Sequence, residues 1–170
     1  MLLGIGAVGT YNALVRKDVA VSEKWGQVQN VLQRRADLIP NLVQSVKGYA
    51  AHEKEIFENV AAARAKLAGA RTPDDAIRAN AEVTSALSRL LVVVENYPQL
   101  KSDANFRDLS AKLVEVEDHL QYARRFYNGA VKQYVTRLQT FPDLIVAKLF
   151  AFRPASFFET EDRGAVEVRL

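Results

Sequence analysis

The sequence predicts an all-α protein, an antiparallel up-and-down bundle of long helices. Apolar residues recur at alternating spacings of three and four, helix breakers are few and well separated, and strand-like alternation is confined to Ala165-Val166-Glu167-Val168. A chain of 170 residues can bury one core without covalent staples, and 49% hydrophobic against 25% charged residues is a globular balance.

The first element is an apolar stretch. Residues 1–15 (MLLGIGAVGTYNALV) carry no charge, and Arg16 and Lys17 follow together. A bilayer-spanning helix needs roughly twenty apolar residues, so the stretch falls slightly short, and it lacks the basic lead of a signal peptide. The expectation is an N-terminal membrane anchor built on Leu2, Leu3, Ile5 and Val8. Gly4, Gly6 and Gly9 would let copies of that anchor pack closely. The positive-inside bias of Arg16 and Lys17 puts the bundle on the cytoplasmic side of the cell inner membrane.

The first long helix follows, from about residue 12 to 68. Leu14, Val21, Trp25, Val28, Leu32, Ile39, Leu42, Val46, Tyr49, Ile56, Val60, Ala63 and Leu67 share one seven-residue frame that crosses Pro40 without a phase shift. A turn has no reason to keep that phase, so one long kinked helix is expected; the alternative is two helices meeting at Pro40. Thr72-Pro73-Asp74-Asp75 opens the next helix as N-cap, first-turn proline and two carboxylates at the positive end of the dipole. Tyr97-Pro98 closes it. Ser102-Asp103 caps a third, which carries a sustained seven-residue repeat from Phe106 to Phe141 and stops at Phe141-Pro142. Asp143 to Phe150 reads as a short fourth helix, and Phe150, Phe152, Phe157 and Phe158 as residues that dock on the bundle, a neighbour or a lipid surface. The domain organisation is then anchor 1–15, bundle 16–152 and tail 153–170, charged and mobile beyond Glu159.

Reactive constellations are missing. Without cysteine there are no disulfides, thiolate metal sites or thiol nucleophiles. His52-Glu53 suggests a zinc helix, but the position four residues after His52 is Ile56. A di-iron bundle needs Glu-x-x-His, and Tyr49 and Val116 stand three residues before His52 and His119. No catalytic residue, cofactor or metal is expected. A net charge of +3, interspersed and without a basic run laced with aromatics, also excludes nucleic acid as a partner.

One polar cluster stands out. Arg34, Arg35, Asp37 and Asn41 crowd Pro40, which leaves the carbonyl of Ala36 without its helical donor. Asn41 or an arginine could satisfy that carbonyl. Arg35, Asp18 and Glu53 fall on the apolar frame, where a charge must be paired. Glu95, Glu115 and Glu117 are the candidate partners, and a network fixing helix register is expected.

At these residues the chain resembles the LemA family of bacterial membrane proteins. The resemblance rests on Tyr11-Asn12, Trp25, the run Arg34-Arg35-x-Asp37-Leu38-Ile39-Pro40-Asn41-Leu42-Val43, Val46-Lys47-Gly48-Tyr49, His52-Glu53 and Ala63-Arg64. It continues through Glu95-Asn96-Tyr97-Pro98, Glu117, Ala123-Arg124-Arg125-x-Tyr127-Asn128 and Phe158-Glu159. It implies an N-terminal transmembrane segment, a helical bundle and no established molecular activity, and it supplies no catalytic residues. Departures are the short anchor, Tyr134-Val135 in place of a second Tyr-Asn pair, and the AVEVRL ending. The function expected is a membrane-anchored scaffold in contact with lipids that forms a homo-oligomer through its glycines, Phe157 and Phe158. The alternative is an adaptor presenting a groove near Pro40 and Glu117 to another membrane protein such as a metalloprotease.

Overall fold

Side-chain capping sets the starts of two long helices. Thr72 is extended, and its hydroxyl accepts the Asp75 N–H at 3.1 Å, with Pro73 and two carboxylates completing the first turn. Asp103 likewise accepts the Phe106 N–H at 2.9 Å through its side chain. The computed structural model describes residues 2–159, with side-chain surroundings from Gly6 onward. Among these residues there are six α-helices and no strand: α1 (Leu2–Lys47), α2 (Lys54–Gly69), α3 (Pro73–Val94), α4 (Pro98–Ser102), α5 (Ala104–Gln139) and α6 (Asp143–Leu149). The Ala165–Val168 alternation and the charged end beyond Glu159 lie outside the described residues.

Helix α1 runs through Pro40 without interruption, but it ends at Lys47 instead of continuing to about residue 68. The N–H groups of Tyr49 and Ala50 both fold back on the Val46 carbonyl, closing the helix at Gly48, and Glu53 is non-helical before α2 begins. The apolar frame slips by one residue across this break. Ala50 and Phe57 are buried, whereas Tyr49 is exposed and Ile56 half-buried. Val60, Ala63 and Leu67 fall on the original frame again, so the slip leaves the sevenfold spacing outwardly intact.

The chain divides into two compact units, one from the residues up to Asn30 together with Leu120–Phe158, the other from Val31–His119. In the first, Leu14, Trp25 and Val28 of α1 and Tyr127, Val131 and Tyr134 of α5 are buried. Trp25 and Tyr127 meet ring to ring at 5.2 Å. Asp18, expected on the apolar face, is exposed and accepts the buried Tyr134 hydroxyl; burial first, then this carboxylate, pushes the Tyr134 pKa up to about 12. In the second unit Ile39, Leu42, Val60, Val83, Leu90 and Leu100 are buried almost completely, and α2 packs on α3.

The membrane anchor is overturned, and the inner-membrane location with a cytoplasmic bundle goes with it. Among the described residues no helix is long and apolar enough to cross a membrane. The physical reason is in the composition: glycines, Thr10 and Asn12 dilute the apolar run, and Arg16, Lys17 and Asp18 cut it off. Its C-terminal part is also committed elsewhere. Leu14 is fully buried, and Tyr11 packs on Phe150 at 4.8 Å and Phe152 at 5.6 Å within the first unit. Val8, Gly6 and Gly9 are exposed, and the side chains of Leu2, Leu3, Gly4 and Ile5 lie outside the described residues.

Asp103 also accepts the Tyr49 hydroxyl at 3.1 Å, tying the break after α1 to the start of α5. The backbone donor of Phe106 and then Tyr49 hold its pKa below the ordinary 3.8. A depressed carboxylate adds stability that is complete above 3.8 and is lost as pH falls through the lower folded value. Denaturant melts of Asp103→Asn against the parent should therefore show a deficit at pH 7 that closes in the acid limb. A gap independent of pH would contradict the assignment.

Candidate functional site

A cation on the apolar face of a helix must find its countercharge on a neighbour, and Arg35 does so inside the second unit. It is 5% exposed, in the turn before Pro40. Its Nη2 lies 3.1 Å from Glu117 Oε2 on α5, and its Nη1 donates to Asn80 Oδ1 on α3. Arg64 Nε on α2 donates to the Ala36 carbonyl at 2.9 Å, supplying the donor that Pro40 lacks. Four helices are thus cross-linked within one turn of α1.

The electrostatics are those of a partly satisfied junction. Burial pushes the Arg35 pKa down, and Glu117 opposes that shift. Arg35 Nε and Glu117 Oε2 are buried without a hydrogen-bond partner among the described residues, although Oε2 sits at ion-pair distance. Charge attraction holds this pair more than a directed bond does. The Glu117 side chain as a whole is 40% exposed, so its carboxylate stays partly hydrated while its Oε2 faces the arginine.

Other residues singled out by sequence lie elsewhere. Arg34, Asp37, Asn41 and Glu95 are exposed. Asp37 accepts from Gln33 at 2.8 Å on its own helix, and Glu95 pairs with Lys101 at the end of α3. The Asn41 carbonyl accepts Ser45 Oγ at 2.9 Å, and Asn41 lines an open cleft of about 320 Å³ with Gln44, Ser45, Asn105 and Leu109. Phe157 is exposed, but Phe158 is 3% exposed against its own chain, which removes it from any free self-association surface in this arrangement. His52 and His119 are exposed, and among the described residues no three His, Asp or Glu side chains are grouped to hold a metal.

Sequence reasoning missed Asn80, and it named Arg64 only within the family resemblance, without its reach to Ala36. Asn80 carried a signal, since Ala76, Asn80, Val83, Leu87, Leu90 and Val94 share one helical face and only Asn80 among them is polar. The spacing around Arg64 carries no comparable sign of its role at Ala36.

A sequence model described as the LemA family matches residues 24–170. The chain is 27% identical over 180 aligned positions to Magnetosome protein MamQ 2 of Paramagnetospirillum magneticum, covering 91% of this chain and 66% of that protein. Magnetosome protein MamQ of Magnetospirillum gryphiswaldense is 26% identical over the same shares. Protein LemA of Metamycoplasma hominis is 22% identical, covering 95% of this chain and 74% of that one. The chain spans just under two thirds of the length of the magnetosome relatives (66%). None of these names designates a reaction.

Removing the donor on Ala36 tests the Pro40 crossing. Arg64→Ala should cost about 1–3 kcal/mol, the penalty of an unpaired buried carbonyl. In a Pro40→Ala background the new N–H reaches Ala36 and the cost should fall by more than half. Equal losses in urea titrations of both backgrounds would break the link. For the ion pair, Glu117→Leu should cost up to about 3 kcal/mol, because a buried cation is stranded while its partner was partly hydrated. Adding Arg35→Met and Asn80→Leu should recover most of that loss.

Proposed function

The chain belongs to the LemA family, and from that membership and the Arg35 junction we propose a non-catalytic structural protein that assembles with copies of itself. The observation that carries this reading is what the buried polar groups do. Arg35, Asn80, Glu117 and Arg64 answer one another and the backbone, and their geometry joins helices without presenting a nucleophile, a base or a ligand set to solvent. An arginine holds its charge throughout the working pH range, so it serves as a fixed strut and not as a proton carrier.

The helices of such a protein lie side by side in antiparallel order, bent where Pro40 enters. Support comes from the short connections and from pairs such as Lys66–Glu82 at 2.6 Å, which joins α2 to α3. Exposed apolar side chains on α5 and α6, among them Tyr122, Phe126, Ile145 and Leu149, provide material for copies to meet.

An adaptor is the second reading, favoured by the cleft beside Asn41. It is open, with polar groups of Asn41, Gln44, Ser45 and Asn105 set in a wall that is mostly apolar, which suits an extended segment of another protein. Ser45→Trp would fill it and separate the two: loss of a partner with assembly intact supports the adaptor.

Sedimentation velocity of the purified chain over a wide concentration range tests the leading proposal. Concentration-dependent dimers or larger assemblies are expected, and a single monomeric species throughout would sink it.

A further inference from the structure

After α6 the chain reverses and runs back as an extended strap, residues 152–158, with neither helix nor strand of its own. The reversal is a helix C-terminal turn. The Phe152 N–H reaches the Ala147 carbonyl at 3.0 Å, the Phe150 N–H reaches Val146 at 3.0 Å, and Ala151 sits at φ 55. That left-handed position suits glycine and strains an alanine, whose Cβ crowds the following carbonyl.

Side chains of α5 hold the strap. Asn128 Nδ2 donates to the Phe158 carbonyl at 3.0 Å while its Oδ1 accepts the Phe158 N–H at 2.8 Å, so one amide group imitates a neighbouring strand. The Tyr127 hydroxyl donates to the Ser156 carbonyl at 2.8 Å. Arg124 lies 5.9 Å from the centre of the Phe158 ring, which is buried. The receptor is built on α5, with Tyr127 set by Trp25 of α1, and it reads backbone groups and one aromatic ring. Any Ser-Phe-Phe segment of the same sequence satisfies it equally.

We propose that this α5 receptor is an interface between copies: the strap of one chain docks on Tyr127 and Asn128 of a second chain, exchanging the contact seen within one. Every receptor contact is then kept, and the left-handed turn at Ala151 opens into an extended link, so the strain of the closed form drives exchange. The proposal deepens the self-assembly reading and rests on it, naming the segment and the site.

Three variants of the full chain test it by sedimentation. Ala151→Gly removes the strain of the closed turn and should weaken the dimer by about tenfold for each of the two turns exchanged, the scale of the penalty for an L-residue in the left-handed region. Ala151→Pro fixes φ near −65° and forbids the turn, so it should drive dimerisation. Adding Asn128→Leu to Ala151→Pro should abolish that dimer. A folded, monomeric Ala151→Pro chain overturns the proposal.

Should Ala151→Pro not fold, mixing decides. A tagged Asn128→Leu chain keeps its strap without a receptor, and an untagged Phe158→Pro chain keeps its receptor without a strap. The tagged chain should capture the untagged one, and should not when the untagged chain also carries Asn128→Leu. No capture overturns the exchange. Assembly of the wild type that ignores all these changes overturns the strap but leaves self-assembly standing, whereas a wild type that is monomeric at every concentration overturns both.

Discussion

A charge taken out of water has to be matched where it comes to rest, and Arg35 imposes that demand on two other helices. Its guanidinium is rigid and permanently charged, so it tolerates few arrangements of acceptors. Asn80 must come from α3 and Glu117 from α5, at heights along their axes that meet the fork. Apolar packing alone would allow those helices to slide by a turn at modest cost, because leucine and valine at seven-residue spacing look alike one repeat further on. In the second unit Arg35 meets Asn80 and Glu117, contacts that a slide by one turn would break. The pair contributes little net attraction beyond what burial costs, whereas losing one partner leaves a buried charge unmatched.

The first unit is fixed by a different means. Its buried tyrosines carry hydroxyls that need partners, and each partner is a group on another segment: Tyr127 meets the Ser156 carbonyl, and Tyr134 meets Asp18. An aromatic body fills the core while its polar tip dictates which neighbour may lie against it. Both units therefore join a generic apolar stripe to a few directional contacts, with arginine and asparagine in one and tyrosine and asparagine in the other.

The starts of α3 and α5 were legible because Thr72-Pro73 and Asp103 act through local backbone chemistry that a short window contains. The end of α5 was legible for the same reason at Pro142. The end of α1 was not. Residues 48–53 hold one glycine and no proline, and the apolar spacing resumes beyond them closely enough to mimic a continuous helix. What distinguishes Ala50 and Phe57 from Tyr49 and Ile56 is tertiary, since only packed neighbours decide which of two adjacent apolar residues turns inward. At the junction, Glu117 could be named because a charge on the apolar face demands a countercharge. The long reach of Arg64 to a backbone carbonyl leaves no mark in composition or period. The apolar run at residues 1–15 misled in a third way, since lack of charge alone does not make a segment apolar enough to cross a bilayer when glycines, Thr10 and Asn12 dilute it.

The bond from Arg64 to Ala36 has a consequence for α1. Pro40 denies α1 one rung of its own ladder, and the replacement comes from a residue 28 positions downstream. Passage of the helix past that point is accordingly a tertiary property and not a local one. A helix that closes its own ladder owes nothing to its neighbours there, whereas this one borrows a donor from α2, so anything that lifts α2 away leaves the Ala36 carbonyl bare at the proline.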